Sequence, residues 1–232
     1  MNDISDQTAA FHLDRGGGAL FDAAGNRFDP LARCWSRSGL HHQVGRIPGA
    51  RVDAVEAATW LQRESGHALR VPVGVIGPRD ASPAQLACAE HVGAGLARIG
   101  IAVICGGRNG VMQAVCEGVS RGGGVSIGVL PDPDAGLANP HATYVLATGL
   151  GEARNAVIAR AALCLCVIGD SYGTLSEVAL GLQFGKRVFG LEGAADVQGV
   201  AQFVHADEAL QAIALEIIAG HGRAAMGCDS SC

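Results

Sequence analysis

CVIGDSYGTLSEV, residues 166–178, reads as an apolar strand that runs into Gly169, breaks into small polar residues and restarts as an apolar helix carrying Glu177. The same strand–turn–helix grammar recurs upstream and downstream. VPVGVIG (71–77), IAVIC (101–105) and GVSIGVL (124–130) are apolar runs, and TYVLATG, LCLCVIG and RVFGLE follow. Helical patterns lie between them. Ser82-Pro83-Ala84-Gln85 predicts a helix start, with Ser as N-cap, Pro as first helical residue and Gln placed to close a capping box; that helix runs to about Gly100. VMQAVCEGVSR, a stretch from Glu152, a stretch to Phe184 and a last helix from Asp207 complete the set. In the last helix Leu210, Ile213, Ala214, Ile217 and Ile218 form one stripe at helical spacing. Strands apolar throughout, each followed by a helix, predict a parallel sheet covered on both faces. The fold class is therefore α/β, a Rossmann-like doubly wound parallel sheet over residues 70–220, with ligands at the C-terminal ends of the strands.

The chain has 232 residues, enough for one such domain and an appendage. Residues 1–69 fall outside the rhythm and are read as an N-terminal appendage, either a packing or dimer arm or a lid over the site. Within it FHLDRGGGALFDAAGNRF (11–28) predicts a hairpin with Gly25-Asn26 near its turn, and VDAVEAATWLQRE (52–64) predicts a helix. HGRAAMGCDSSC (221–232) predicts a frayed, flexible tail. The net charge is −5 and Lys and Arg form no block, so no nucleic-acid or membrane partner is expected. The first residues lack the charged and apolar regions of a signal peptide, and no apolar run reaches the ~18 residues of a membrane span; a cytoplasmic protein is expected. Of the eight cysteines, Cys88 and Cys116 fall in predicted helices and Cys105, Cys164 and Cys166 in predicted strands. They read as small buried hydrophobes of a reducing compartment. Cys164 and Cys166 are assigned to opposite faces of their strand, and no metal site is expected.

Three loops at predicted strand ends carry the polar residues: GPRDAS (77–82), GGRNG (106–110) and GDSYGT (169–174). In GGRNG, Gly106 and Gly107 allow a ligand close to the backbone, the helix N-terminus offers N–H donors, and Arg108 adds a cation. In GLGEARNAVIARA (149–161) a helix from Glu152 puts Arg154, Val157, Ile158 and Ala161 on one face. A guanidinium in that apolar stripe needs an anion, either Glu177 or a ligand phosphate. In the opening stretch Gly173 permits the turn, and Thr174 caps the helix or holds a phosphate oxygen. Glu177 shares a face with Leu180, Gly181 and Phe184, opposite Leu175, Val178 and Leu182, so the helix reads as buried nearly all round. Burial raises the Glu177 pKa; the helix end and Arg154 lower it. Two readings stand: an Arg154–Glu177 ion pair that orients two helices, or a pair of site residues.

ICGGRNGVMQAVCEGVSRGGGVSIGVLP, TGLGEARNAVIARAA and GDSYGTLSEVALGLQFGKRV resemble, in that order, the Rossmann-like nucleotide-binding superfamily of the LOG cytokinin-activating enzymes. Within it they are most similar to the molybdenum cofactor carrier branch and its bacterial relatives, over about residues 71–218. LOG-type phosphoribohydrolases, long mislabelled lysine decarboxylases, release the base from nucleoside 5′-monophosphates. They use an Arg-Lys pair and PGGxGT followed by two glutamates. Here Arg154 is followed by Asn155, the hexapeptide reads Gly169-Asp170-Ser171-Tyr172-Gly173-Thr174, Ser176 replaces the first Glu, and Glu177 is the second. Asp170 places a carboxylate where the family offers bare backbone to a phosphate. The LGEARN run matches the carrier branch. The resemblance implies a protein that binds a small phosphorylated ligand, molybdenum cofactor or a nucleoside monophosphate, with no required cofactor. The alternatives are a phosphoribohydrolase with Arg154 and Glu177 as catalytic residues, and a regulatory module that senses nucleotides through the appendage. Expected ligand and phosphate contacts are Gly77, Gly106, Gly107, Arg108, Asn109, Gly110, Arg154, Asn155, Asp170, Ser171, Gly173, Thr174 and Glu177. LOG-like relatives pair through helices of this region, and the apolar surface of Leu175–Phe184 fits, so a homodimer or higher homo-oligomer is expected.

Overall fold

The computed structural model describes residues 11–36 and 47–219; the tail at 221–232 lies outside them. Five short strands come first: β1 (Phe11–Asp14), β2 (Ala19–Phe21), β3 (Arg27–Asp29), β4 (Cys34–Ser36) and β5 (Ala50–Val52). They form an antiparallel sheet in the order β4-β3-β2-β1-β5. Helix α1 (Ala54–Arg63) follows, capped by the Asp53 carboxylate, which accepts from the Glu56 N–H. The remaining chain alternates: β6 (Val73–Ile76), α2 (Pro83–Ile99), β7 (Val103–Cys105), α3 (Val111–Arg121), β8 (Ser126–Leu130), β9 (Tyr144–Ala147), α4 (Arg154–Ala161), β10 (Leu165–Ile168), α5 (Tyr172–Gln183), β11 (Val188–Leu191), β12 (Val200–Gln202) and α6 (Ala206–Ala219).

The seven strands β6–β12 pair in parallel in the order β12-β11-β10-β6-β7-β8-β9. This is the Rossmann-like α/β fold. The chain adds strands outward from β6 to β9, then returns to the other side of β6 with β10. The strand order therefore reverses between β6 and β10, and a crevice opens beyond their carboxyl ends. The helix signals work as read: Ser82 and Gln85 form a reciprocal capping box with Pro83 in the first turn, and Gly100 ends α2 at φ 96°.

The central strands β6, β7 and β10 send alternate residues to two apolar clusters. Val73, Val75, Cys105 and Ile168 join one, under α2, α3 and α6; Ile76, Ile104, Leu165 and Val167 join the other, under α4 and α5. Cys164 and Cys166 lie in the same cluster. Assigning them to opposite faces is wrong, because side chains two apart in a strand share a face. Cys164 also sits one residue before β10.

Three other expectations change. The N-terminal hairpin is part of five strands; at three or four residues each they are too short to show alternation in sequence. The strand β12 was not anticipated, because two of its three residues are only half-buried and the third, Gln202, is exposed. Helix α4 is rotated from the expected stripe: Arg154, Asn155, Ile158 and Ala159 are buried, whereas Val157 and Ala161 are exposed.

Candidate functional site

The turns after β6 and β10 flank the reversal point, and the starts of α3, α4 and α5 close around it. Together they line a cavity of about 740 Å³, within the roughly 300–1,000 Å³ typical of small-molecule sites. Gly77 leaves β6 at its base. A Cβ there would lie 2.4 Å from the Ile168 carbonyl oxygen and 2.7 Å from Val111 Cγ1, so only glycine passes between β10 and α3.

Helix α5 points its N-terminus at the cavity. Its cap is Ser171, whose Oγ accepts from the Thr174 N–H at 3.1 Å and contacts the Thr174 hydroxyl at 2.8 Å. The positive φ that turns the chain belongs to Gly169, at 70°. The expected roles of Gly173 and Thr174 are thus displaced: both sit inside the helix's first turn. The N–H groups of Tyr172 and Gly173 have no acceptor within their own helix, as at any helix start. Helix α3 begins at Gly110 without a side-chain cap, and its second residue, Met112, reaches the cavity wall. The α5 end therefore brings its partial positive charge to the cavity, while α3 contributes the Met112 side chain and the Val111 N–H is taken by the Pro78 carbonyl.

Arg154 and Glu177 lie at its floor, 4% and 6% exposed. Arg154 Nη1 donates to Glu177 Oε1 at 3.2 Å and to Asn155 Oδ1 at 2.7 Å, while Arg154 Nε is buried without a partner. Burial lifts the Glu177 carboxyl to about 7 against the pull of Arg154, and Glu152 adds to the rise. Asn155 bridges inward, donating through Nδ2 to Ser176 Oγ at 2.9 Å and to the Gly173 carbonyl at 3.5 Å. Helix α5 is not buried all round. Thr174, Glu177, Val178 and Gly181 face inward, and Leu175 and Ser176 face out.

Asp170 lines the cavity and is exposed. Arg79, Asp80, Glu152 and Tyr172 complete the rim, with Arg79 Nη2 4.0 Å from Glu152 Oε1. These four were not assigned by sequence. The GPRDAS loop held a signal for Arg79 and Asp80, but only the position of β10 beside β6 puts that loop at the site.

The GGRNG loop is mostly elsewhere. Gly106 lies directly against Arg154, where a Cβ would fall 2.6 Å from Nη2. Gly106 itself, with Gly107, Arg108, Asn109 and Gly110, is not in the cavity wall. Arg108 pairs with Asp132 instead, and the 5% exposed Asn139 holds the loop, its Nδ2 donating to the Gly107 and Arg108 carbonyls at 3.2 and 3.3 Å.

Residues 70–218 match the family model described as LDcluster4, the SLOG cluster4 family. An uncharacterized protein of Archaeoglobus fulgidus is 36% identical over 138 residues, covering 60% of this chain and 91% of that protein. The structure is similar to the molybdenum cofactor binding protein of the phototrophic bacterium Rippkaea orientalis, with a TM-score of 0.59 and 31% identity, covering 63% of this chain and 97% of the other. It is equally similar to the molybdenum cofactor carrier protein of Chlamydomonas reinhardtii, with a TM-score of 0.59 and 31% identity over 64% of this chain and 99% of the other.

Proposed function

The chain belongs to the SLOG cluster4 family, and on that premise we propose that it binds a small phosphorylated ligand, a molybdenum cofactor or a nucleoside monophosphate, and holds it without turnover. The observation that carries this reading is the meeting of the α5 N-terminus with the buried Arg154 on one cavity. Helix ends and a guanidinium are what a phosphate requires. The phosphate sits over the first turn of α5, beside Gly173. The ring system extends toward the rim, where Tyr172, 95% exposed, offers a flat apolar face and Asp80 offers an acceptor to ring amino groups. The molybdenum cofactor proteins among the structural relatives support the ligand class.

The phosphoribohydrolase reading is favoured by one observation, the Glu177 carboxyl near 7, which suits proton transfer at neutral pH. It is opposed by Asn155, which stands in the Lys position and is bonded inward, and by the Asp170 carboxylate beside the expected phosphate. Exposed Val157 and Leu175 on the outer faces of α4 and α5 support self-association. The buried thiols of Cys88, Cys105, Cys116, Cys164 and Cys166 support a reducing compartment, the cytoplasm. Among the described residues no helix is long and apolar enough to cross a membrane.

Native mass spectrometry of the purified protein, with melting curves in phosphate, GMP, AMP and molybdenum cofactor, tests the reading. A co-purified phosphorylated ligand or a melting shift is expected. No ligand and no shift with any of the four overturns it, and Glu177-dependent release of free base from AMP or GMP replaces it with the hydrolase.

A further inference from the structure

Beneath the GGRNG loop two cysteines meet. Cys105 ends β7 and Cys116 lies in the middle of α3, and their sulfurs are 3.6 Å apart, both fully buried. Each sulfur also touches the loop or what holds it. The Gly107 N–H donates to Cys105 Sγ at 3.4 Å, and Cys105 Sγ lies 3.9 Å from the Met112 carbonyl. Asn139, which clamps the Gly107 and Arg108 carbonyls, donates to Cys116 Sγ at 3.6 Å. The binding reading does not use this pair, although it borders Gly106 and Met112, which abut Arg154 and the cavity.

We propose that Cys105 and Cys116 form a reversible disulfide that weakens anion binding at the neighbouring cavity. The regulatory part rests on the binding reading above; the chemical part stands alone. The sulfurs are closed off from bulky reagents, so the oxidant is small and uncharged, a hydroperoxide. The Cys116 thiolate attacks one peroxide oxygen, the O–O bond breaks and hydroxide leaves, giving a sulfenic acid. Cys105 then attacks the Cys116 sulfur, the S–S bond forms and the hydroxyl departs as water with the Cys105 proton. In sum, two thiols and one hydrogen peroxide give one disulfide and two waters; a dithiol reductant reverses the change. The roles follow from the contacts. Hydrogen bonds from Cys105 and Asn139 bring the Cys116 thiol down to about 7, whereas its own bond to Cys116 and its burial hold Cys105 high. Cys116 is the nucleophile and Cys105 the resolving thiol.

An S–S bond is about 2.0 Å long, so the sulfurs must close by roughly 1.5 Å. The loop between them is pinned at both ends, by Cys105 and by the start of α3. In a close-packed interior that movement has to shift Gly106 or Met112, and both press on the guanidinium side of the cavity.

The test treats the full-length protein with hydrogen peroxide and maps its peptides without reduction. A linked Cys105–Cys116 peptide, lighter by two hydrogens and lost on adding dithiothreitol, is expected. The apparent affinity for inorganic phosphate, read from melting curves, should fall about tenfold on oxidation and recover on reduction. Cys116→Ser, which keeps an acceptor for Asn139, should make the phosphate response insensitive to peroxide, and Cys105→Ser, which keeps a donor to Cys116 but cannot form a disulfide, should leave Cys116 trapped as a sulfenic acid. Absence of the linked peptide, or a linked protein that binds phosphate as the reduced one does, overturns the proposal. A reduced wild type that ignores phosphate overturns the binding reading instead, and the peptide map alone then decides the disulfide.

Discussion

The turns after β7 and β10 are made of the same material: an apolar strand, a glycine, small polar residues and an apolar helix. One is filled from within and the other is open. After β7, Arg108 is neutralised by Asp132 and Asn139 occupies the loop carbonyls. After β10, Ser171 caps only one N–H, and Asp170, Tyr172 and Gly173 border a cavity. The cause lies outside both turns. The β10 turn neighbours β6, where the strand order reverses and a crevice must form; the β7 turn is one strand removed, and the chain from 131 to 143 covers it. A glycine-rich turn is a site only where topology leaves it uncovered.

Exchanging the two arginines gives the sharpest contrast. Arg154→Met leaves the Glu177 carboxyl buried without its partner and should cost about 3 kcal/mol of unfolding free energy. Arg108→Met removes a pair that is a fifth to a third exposed and should cost under about 1 kcal/mol. Urea unfolding of both variants measures the gap, and equal losses would erase the distinction between the two turns.

Glu177 makes the open turn sensitive to pH. Its carboxyl rises from 4.5 to about 7 on folding, so the folded chain keeps a proton that the unfolded chain has released in that interval. The contribution to stability is complete below about pH 4.5 and is lost as pH rises through 7, by up to about 3 kcal/mol. Glu177→Gln should flatten this part of the pH–stability curve. A variant whose curve keeps the wild-type slope between about pH 5 and 7, inside the interval of the shift, would show that burial does not set this carboxyl.

Gly106 is where the filled turn touches the open one. Gly106→Ala should push the Arg154 guanidinium and Met112 aside, lower phosphate affinity about tenfold, or about 1.4 kcal/mol, and leave the protein folded. Unchanged affinity would separate the turns completely. Smallest is the effect of the rim carboxylate. Asp170→Asn removes a like charge and should tighten GMP binding by about 1 kcal/mol, roughly fivefold, whereas Asp132→Asn should leave it unaltered; calorimetry of the pair settles the order.

The sequence carried the fold because its signals are local. Ser82, Pro83 and Gln85 mark a helix start wherever they stand, and unbroken apolar strands mean a sheet covered on both faces. Arg154 and Glu177 were legible as partners because a guanidinium and a carboxylate in apolar helical faces have few other solutions. Arg79, Asp80 and Glu152 were not, since each is an exposed polar residue in an ordinary loop, made relevant only by β10 returning to lie against β6. Arg108 misled for the same reason: nothing near it in sequence announces Asp132. The quarter-turn error in α4 arose from Ala159 and Asn155, small enough to be buried yet weak as hydrophobic signals.

Helix α1 lies before residue 70, where the family match begins. Yet Ala57, Trp60 and Leu61 belong to the same apolar cluster as the sheet's own Val73 and Val75. Arg63 donates to the Ala97 and Arg98 carbonyls at 2.7 and 2.9 Å, and so finishes the C-terminal end of α2. Gln62 stitches itself to the backbone of Leu69 through both its oxygen and its nitrogen. Shared ancestry and folding thus draw their borders at different places in this chain. A protein shortened to the ancestral stretch would leave frayed carbonyls at the end of α2 and a greasy furrow between α2 and α6, and would cling to itself before it could bind anything else.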